Sequence, residues 1–554
     1  QGSSTLRIPY RRALILLATI CLSVAAPALV YSQTERSHTS ADLTSGEELE
    51  RYIRVLQLQG MVPLYQWSIA GFSPRTVTAL PRAGQSHPWE SRFQIRPPQQ
   101  NGPNIEAVAP RFWSFYNSEF PYAVQEGAVW AGRGLTVAAS AGIAATWGPL
   151  SLTVAPVAFW SQNAEFELAP VSGSGTSPFE DPRSSLYIDA PQRFGDSPYA
   201  RIDLGNSAVS IELAGLSIGA STAVSSWGPA QRFPLVLGRS APGFPHAFVG
   251  TARPWNIGIG TIHGRVMWGQ LAQSRVSTIH ADSSLRFMAG LNGSFSPRGI
   301  PGLELGAARF FHTPWPNTGL SPVHLLKPFE TFAKLDFDRE GNEVFSAIAT
   351  NQIASLYGRW VFPEAGLDVF AEFAKEDNSH NLRDLILEPD HNSAVGLGVT
   401  KSWQTSGGDL WQVRAELASA GRSHLNRARR QEQFYIHGTT RQGHTQRGQI
   451  LGAPEIFGGA AASLALDRYH SSGRWTMSFE RVVRGDQRSY LVDGTVDPLS
   501  LDVLLALGGE MVVFRGPLEW SAGATGAYEL NRNYISDAVN LQLRTGLVYR
   551  PGAN

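Results

Sequence analysis

From about Glu106 onward the chain alternates apolar and polar residues with a period of two. Leu135, Val137, Ala139, Ala141, Ile143, Ala145 and Trp147 alternate with Thr136, Ala138, Ser140, Gly142, Ala144 and Thr146. After the turn Trp147-Gly148-Pro149 the pattern resumes with Leu150, Leu152 and Val154 against Ser151 and Thr153. It returns in LWQVRAELAS, where Trp411, Val413, Ala415 and Leu417 face away from Gln412, Arg414 and Glu416. It returns again in VNLQLRTGLVY, with Val539, Leu541, Leu543, Leu547 and Tyr549 against Asn540, Gln542 and Arg544. Successive side chains of a strand point to opposite faces, so each stretch predicts a strand with one apolar face and one small or polar face.

A soluble sandwich alternates in the same way. Three features favour a closed wall in a membrane. The pattern runs to Tyr549 without a domain break, and short turns trade places with long polar loops along it. Trp147, Trp160, Trp360, Trp403, Trp411, Trp475, Trp520 and Tyr549 fall near strand ends, where interfacial girdles lie. At about 22 to 28 residues per strand and connection, the length predicts about 16 to 20 strands, with about eighteen preferred and sixteen the runner-up. The expected fold is mainly β: a large antiparallel transmembrane β-barrel, with lipid outside and a crowded polar interior, spanning residues 106–554 with plugging loops.

The N-terminal part reads differently. Arg7, Arg11 and Arg12 precede the apolar run Ala13–Val30, and Val30-Tyr31-Ser32 fits a cleavage site, so residues 1–32 read as a signal peptide. The alternative is a membrane anchor, but Thr19, Ser23 and Pro27 dilute the run. Residues 33–105 read as a small periplasmic helical region and linker. In TSGEELERYIRVLQLQG, Thr44 and Glu47 are spaced as a capping box and Gly60 closes the helix. Leu49, Tyr52, Ile53 and Leu56 share one face, which should dock on something larger. A short second helix is expected after Ser73 and Pro74, and a linker rich in Pro, Gln and Arg from about Ala83 to Asn104.

Charge narrows the partners. Lys plus Arg total 46 and Asp plus Glu total 46, so no net field favours nucleic acid. The single cysteine, Cys21, lies in the leader, which leaves the mature chain no disulfide, thiolate metal site or cysteine nucleophile. No cofactor is implied. A membrane barrel implies outer-membrane lipid and barrel-insertion machinery as partners.

Candidate chemistry is sparse. GLSIG (Gly215 to Gly219) matches a G-x-S-x-G nucleophile pattern, but strands on both sides make it a hairpin turn with Ser217 an ordinary strand residue. DFDREGNEVFSA (Asp336 to Ala347) imitates a calcium loop, yet its twelfth position is Ala347 and no helix flanks it. His437 and His444 lack zinc spacing and read as loop or lumen histidines. Glu376-Asp377 and Glu388/Asp390 could serve glycoside chemistry only if the fold paired them. The chain is not expected to be an enzyme.

The most distinctive stretch is Ser225 to Trp255, SSWGPAQRFPLVLGRSAPGFPHAFVGTARPW. Its Pro and Gly forbid a long helix and break any strand into brief pieces, so it reads as a long loop with strand ends, folded back against the barrel. Trp227, Arg232, Arg239, His246, Arg253 and Trp255 cluster in it. Sugar recognition wants aromatic faces for C–H groups and planar polar groups for hydroxyls, so these six are the candidate polysaccharide contacts. A second reading has them plug the barrel, with Trp and Pro packing and Arg pairing with lumen carboxylates.

Five segments in order resemble the capsule assembly protein Wzi family of Gram-negative outer membranes. They are LERYIRVLQLQGMVPLYQW, FPYAVQEGAVWAGRGLT, DAPQRFGDSPYARIDLGNSAVSIELAGLSIG, WGPAQRFPLVLGRSAPGFPHAFVGTARP and YIHGTTRQGHTQRGQILGAPEIFGG. The resemblance implies an outer-membrane barrel with periplasmic helices and a lectin-like role, holding capsular or exopolysaccharide at the cell surface. It marks Gly228, Pro229, Pro242, Gly243 and Pro245 as structural motif residues. The family's tryptophan-glycine-proline-glycine element is matched by Trp227, Gly228 and Pro229, with Ala230 in place of the second glycine. It brings no catalytic residue. The competing functions are a porin-type channel and, less favoured, an outer-membrane hydrolase.

Overall fold

A computed structural model describes residues 47–62, 87–90, 92–93, 102–171, 177–182, 184–279, 284–329, 350–376, 386–422, 431, 433–438, 440–484 and 501–550. The signal segment, Thr44, the helix after Ser73, most of the linker and the calcium-like stretch lie outside the described residues.

The strands are β1 (Asn104–Asn117), β2 (Gly134–Trp147), β3 (Leu150–Val154 and Val157–Ser161), β4 (Tyr199–Asp203 and Ala208–Leu213), β5 (Leu216–Ser221) and β6 (His246–Thr251). They continue with β7 (Gly260–Ala272), β8 (Leu285–Pro297), β9 (Leu303–Pro314), β10 (Asn351–Phe362), β11 (Leu367–Glu376) and β12 (Ser393–Gln404). The last six are β13 (Leu410–Ser419), β14 (Ala460–His470), β15 (Gly473–Arg484), β16 (Asp502–Arg515), β17 (Leu518–Arg532) and β18 (Ser536–Tyr549). Each pairs antiparallel with the next, and β18 pairs with β1 from Arg111↔Val548 to Asn117↔Gln542. The result is a closed 18-strand barrel with no free edge.

The alternation sorts inside from outside. In β10, Leu356 is 66% exposed and its neighbour Tyr357 only 4%. Leu135, Ile143 and Trp147 of β2, Leu417 of β13, and Val539, Leu541 and Leu543 of β18 are likewise exposed. So continuous an apolar exterior requires hydrocarbon around it. No helix among the described residues is long and apolar enough to cross a membrane.

Short and long connections also alternate. Trp147–Leu150, Leu213–Leu216, His470–Gly473 and Arg515–Leu518 are tight turns at one end, whereas Asn117–Gly134, Ser161–Tyr199, Ser221–His246 and Ser419–Ala460 are long loops at the other. Ala214 and Gly215 carry φ of 51° and 83°, the two positive values of a type I′ hairpin turn. This places Ser217 inside β5, 1% exposed and paired with Gly250, as a strand residue. Trp403 stacks on Trp411 at 6.4 Å, and Trp411 meets Trp475 edge-on at 5.2 Å, forming an aromatic belt near the short-turn end.

Helix α1 (Glu48–Leu58) closes the short-turn mouth. Leu49, Tyr52, Ile53 and Leu56 pack with Trp89 and Phe93 against Leu410, Tyr469, Val512 and Phe514 of the wall. The Trp89 indole donates to the carbonyls of His470 (3.0 Å) and Gly473 (3.2 Å) in the β14–β15 turn. Arg474 is fully buried between Glu48 (2.8 Å), Glu510 (2.6 Å) and Asp467 (3.5 Å), tying helix to wall. The N-cap position is held by Glu47, which makes no side-chain cap bond. Its carboxylate is engaged by Arg111 (3.4 Å) and Arg550 (2.9 Å), so docking replaces local capping. Gly60, at φ 69°, ends the helix as expected.

Candidate functional site in the barrel lumen

At the long-loop end, two segments fold inward and fill the barrel. The first follows Ser221 and runs to Pro245; the second, from Gln433 to Phe457, includes a small hairpin of Thr445–Gln446 and Gln449–Ile450. Phe233, Leu235, Val236, Leu237, Phe244, Tyr435, Leu451 and Ile456 share one buried cluster with inward residues of the wall. On the wall, small inward residues such as Ala308, Ala374, Ala394, Ala418, Ala461 and Ala506 leave room for the plug aromatics. The interior expected to be polar is therefore a hydrophobic core at this level. The physical reason is that the plug must bury its own apolar residues somewhere, and the lumen is the dry place available.

The two segments clasp each other through backbone carbonyls. The Tyr435 hydroxyl donates to the Leu235 carbonyl (2.8 Å), and the amide of Gly238 donates to the Leu451 carbonyl (2.7 Å). His444 stacks on Tyr435 at 5.5 Å, and its Nε2–H donates to the Val236 carbonyl (2.6 Å). The loop after β1 joins them: Gln125 donates to the carbonyls of Gln231 (3.0 Å) and Arg232 (2.7 Å) and accepts from Arg239 (2.7 Å).

Carboxylates on the wall hold the first segment. Glu416 accepts the backbone amides of Gln231 (3.0 Å), Arg232 (2.9 Å) and Phe233 (3.2 Å). Arg232 binds Glu480 of the wall through both Nε and Nη2 at 2.8 Å, and Glu455 of the second segment at 2.8 Å. Burial works against the Arg232 charge, but the carboxylates of Glu455 and Glu480 outweigh it and raise its pKa. Glu372 lies under Gly228: at φ 84°, a Cβ there would come within 2.7 Å of its Oε2.

The six candidate contacts do not share one surface. Trp227 is fully buried, edge-on to Phe310 at 5.9 Å, with Gly290 opposite it lacking the Cβ that would strike the indole. Arg232 and Arg239 lie within the plug. His246 opens β6 and is buried, its Nδ1 paired with the Phe244 carbonyl at 2.8 Å. Arg253 and Trp255 are exposed at the opposite, short-turn end, where the Trp255 indole donates to the Gly215 carbonyl at 3.1 Å. The Ser225–Trp255 stretch gives way to strand at His246, where HAFVGT finds partners in β5 and β7.

The five motif residues stay in or beside the plug. Pro229 and Pro242 are buried, and a Cβ on Gly243 would run into the Thr222 carbonyl. Pro245 accepts the Gln270 amide at 2.9 Å through its carbonyl.

Glu372, Glu416, Glu480, Gln125 and Tyr435 were not singled out from the sequence. For the three glutamates the one signal is an acidic residue within a strand's alternation, as Glu416 is in LWQVRAELAS; Gln125 and Tyr435 lie in loops and carry none. Of the candidate carboxylate pair Glu376-Asp377, Asp377 lies outside the described residues, while Glu376 accepts the Tyr435 amide (2.5 Å) and the Asn351 side-chain amide (3.1 Å). Among the described residues no group of three or more His, Cys, Asp or Glu is placed to hold a metal.

No protein-family model matches this sequence, and no curated protein does. Solved structures do. Wzi of Escherichia coli, an outer-membrane protein involved in group 1 capsule assembly and described as a carbohydrate-binding β-barrel, matches with a TM-score of 0.61. The identity is 12%, over 92% of this chain and 99% of that one. OccK11 of Pseudomonas aeruginosa matches at a TM-score of 0.39 and 9% identity, over 81% of this chain and 95% of that one. The Pseudomonas aeruginosa outer membrane protein OprD matches at 0.37 and 8%, over 80% and 92%. At such identities the likeness is one of fold, and the fold of this chain is a Wzi-like outer-membrane β-barrel.

Proposed function

We propose that this protein sits in the cell outer membrane and holds capsular or exopolysaccharide at the surface, a lectin-like role without catalysis that helps assemble or anchor a capsule. The observation that carries this reading is the plug. A lumen filled by two clasped segments at one end and floored by a helix at the other is poorly suited to passing solutes. It does build a rigid platform under the long loops, which face outward in barrels of this kind. The likeness to a carbohydrate-binding barrel supports the same reading. In this proposal Trp227, Arg232, Arg239 and His246 act from beneath, shaping the platform. Arg253 and Trp255 serve the short-turn end, and sugar meets the loop surface above.

Two measurements test it. Deleting the gene should reduce surface-attached polysaccharide, and the purified barrel should retain the strain's own glycan on an array or column. Unchanged surface polysaccharide together with no glycan binding would sink the proposal. The porin alternative predicts steady conductance in planar bilayers, where a plugged barrel stays nearly silent.

A further inference from the structure

The shortest strands of the wall are β5 and β6, six residues each. There the register sets Leu152, Val209, Ala220, Ala247 and Trp268 in one row across five strands, all on the outward face. Ala220 and Ala247 are small and exposed between bulkier neighbours, so the row dips. The segment after β9 folds down beside this dip. Trp315 and His324 pack edge-on against Phe287 at 6.1 and 6.0 Å, and the Trp268 indole donates to the Leu325 carbonyl at 2.8 Å.

The result is an open groove of about 760 Å³ whose lining contains no Asp, Glu, Lys or Arg. That volume falls within the roughly 300–1,000 Å³ typical of small-molecule sites. The groove is continuous with the lipid-facing wall: Val154, Ile202, Ile211 and Ile218 around it are exposed and apolar. Its far wall is the short helix α2 (Pro322–Leu326), which turns Val323, Leu325 and Leu326 outward, with Leu320 and Phe329 flanking it. Apolar side chains on floor, wall and surround mark hydrocarbon as the occupant.

We propose that this groove seats one acyl chain of a bilayer lipid, held in place when the lipids around the barrel exchange. The proposal rests on the membrane barrel alone and stands whether or not the loops bind glycan. The test reconstitutes the full chain into vesicles of dioleoyl phosphatidylethanolamine and phosphatidylglycerol, extracts it in mild detergent, and weighs the complex by native mass spectrometry. Wild type should retain one lipid per chain. Ala247→Trp and the smaller Ala247→Leu should fill the dip and lower that occupancy at least fivefold. Ala522→Trp, on the outward face of β17, should leave it unchanged. Heat-modifiable gel migration confirms that each variant is a closed barrel. A wild-type chain without lipid, occupancy equal in all variants, or a mass of two chains without lipid would each overturn the proposal, the last by making the groove an interface between copies.

Discussion

At the residue scale, two positions decide how the plug is held. Gly228 is required twice, by its φ of 84° and by the Glu372 carboxylate that a Cβ would meet. Gly228→Ala should therefore destabilise the plug by about 1–3 kcal/mol, the scale of a strained backbone site. Hydrogen exchange of residues 225–245 should show it, with the strands unaffected. His444 is the second. With Nε2–H donated to Val236, protonation would have to add a proton at a buried Nδ1. Burial is the main cause of its pKa falling from 6.5 to about 4, and Arg286 lowers it further. A group whose folded pKa is depressed contributes stability that is complete above its unfolded value and lost as pH falls through the folded one. The plug should thus loosen between about pH 6.5 and 4, by on the order of 3 kcal/mol in total. Exchange rates of the 433–457 segment measured across that window, against His444→Gln as the insensitive control, check the sign.

At the element scale, the plug and α1 are each held to the wall by both ion pairs and apolar packing, and the two contributions can be probed separately. Arg232→Met leaves Glu480 and Glu455 buried without their cation. Losing one partner of a buried pair costs about 3–5 kcal/mol, so intermittent conductance should appear in planar bilayers. Adding Glu455→Gln and Glu480→Gln should silence it again; conductance persisting in the triple variant would show that charge is not what holds the loop. Helix α1 is held by burial as well as by its ion pairs. Ile53→Ala, at a fully buried position, should weaken docking by about 2–5 kcal/mol, read as faster proteolysis of the N-terminal region with barrel migration on gels unchanged.

At the scale of the whole molecule, the barrel wall and its contents answer to different parts of the sequence. The wall follows from local alternation repeated eighteen times, and each strand needs only its two neighbours. The contents depend on contacts such as Arg232 with Glu480 and Tyr435 with Leu235, 248 and 200 residues apart. Three of the five segments that suggested the family resemblance carry loops of this interlocked interior, one lies mostly in the wall strands β4 and β5, and one supplies α1. Removing residues 228–243 should therefore raise the current that the barrel carries while leaving its closure intact, as measured by planar-bilayer recording and heat-modifiable migration.

The residue pattern alone determined the strands, their inward and outward faces, the alternation of turns and loops, and a number close to eighteen. Each of these is a period-two or turn-chemistry property that short stretches of chain carry by themselves. The helix face at Leu49, Tyr52, Ile53 and Leu56 was legible for the same local reason. Only the tertiary structure decided that the Trp227 loop turns inward, that β6 separates Arg253 and Trp255 from it, and that Glu372, Glu416 and Glu480 receive it. Those outcomes depend on which distant strands closure brings opposite one another, and no local period encodes that.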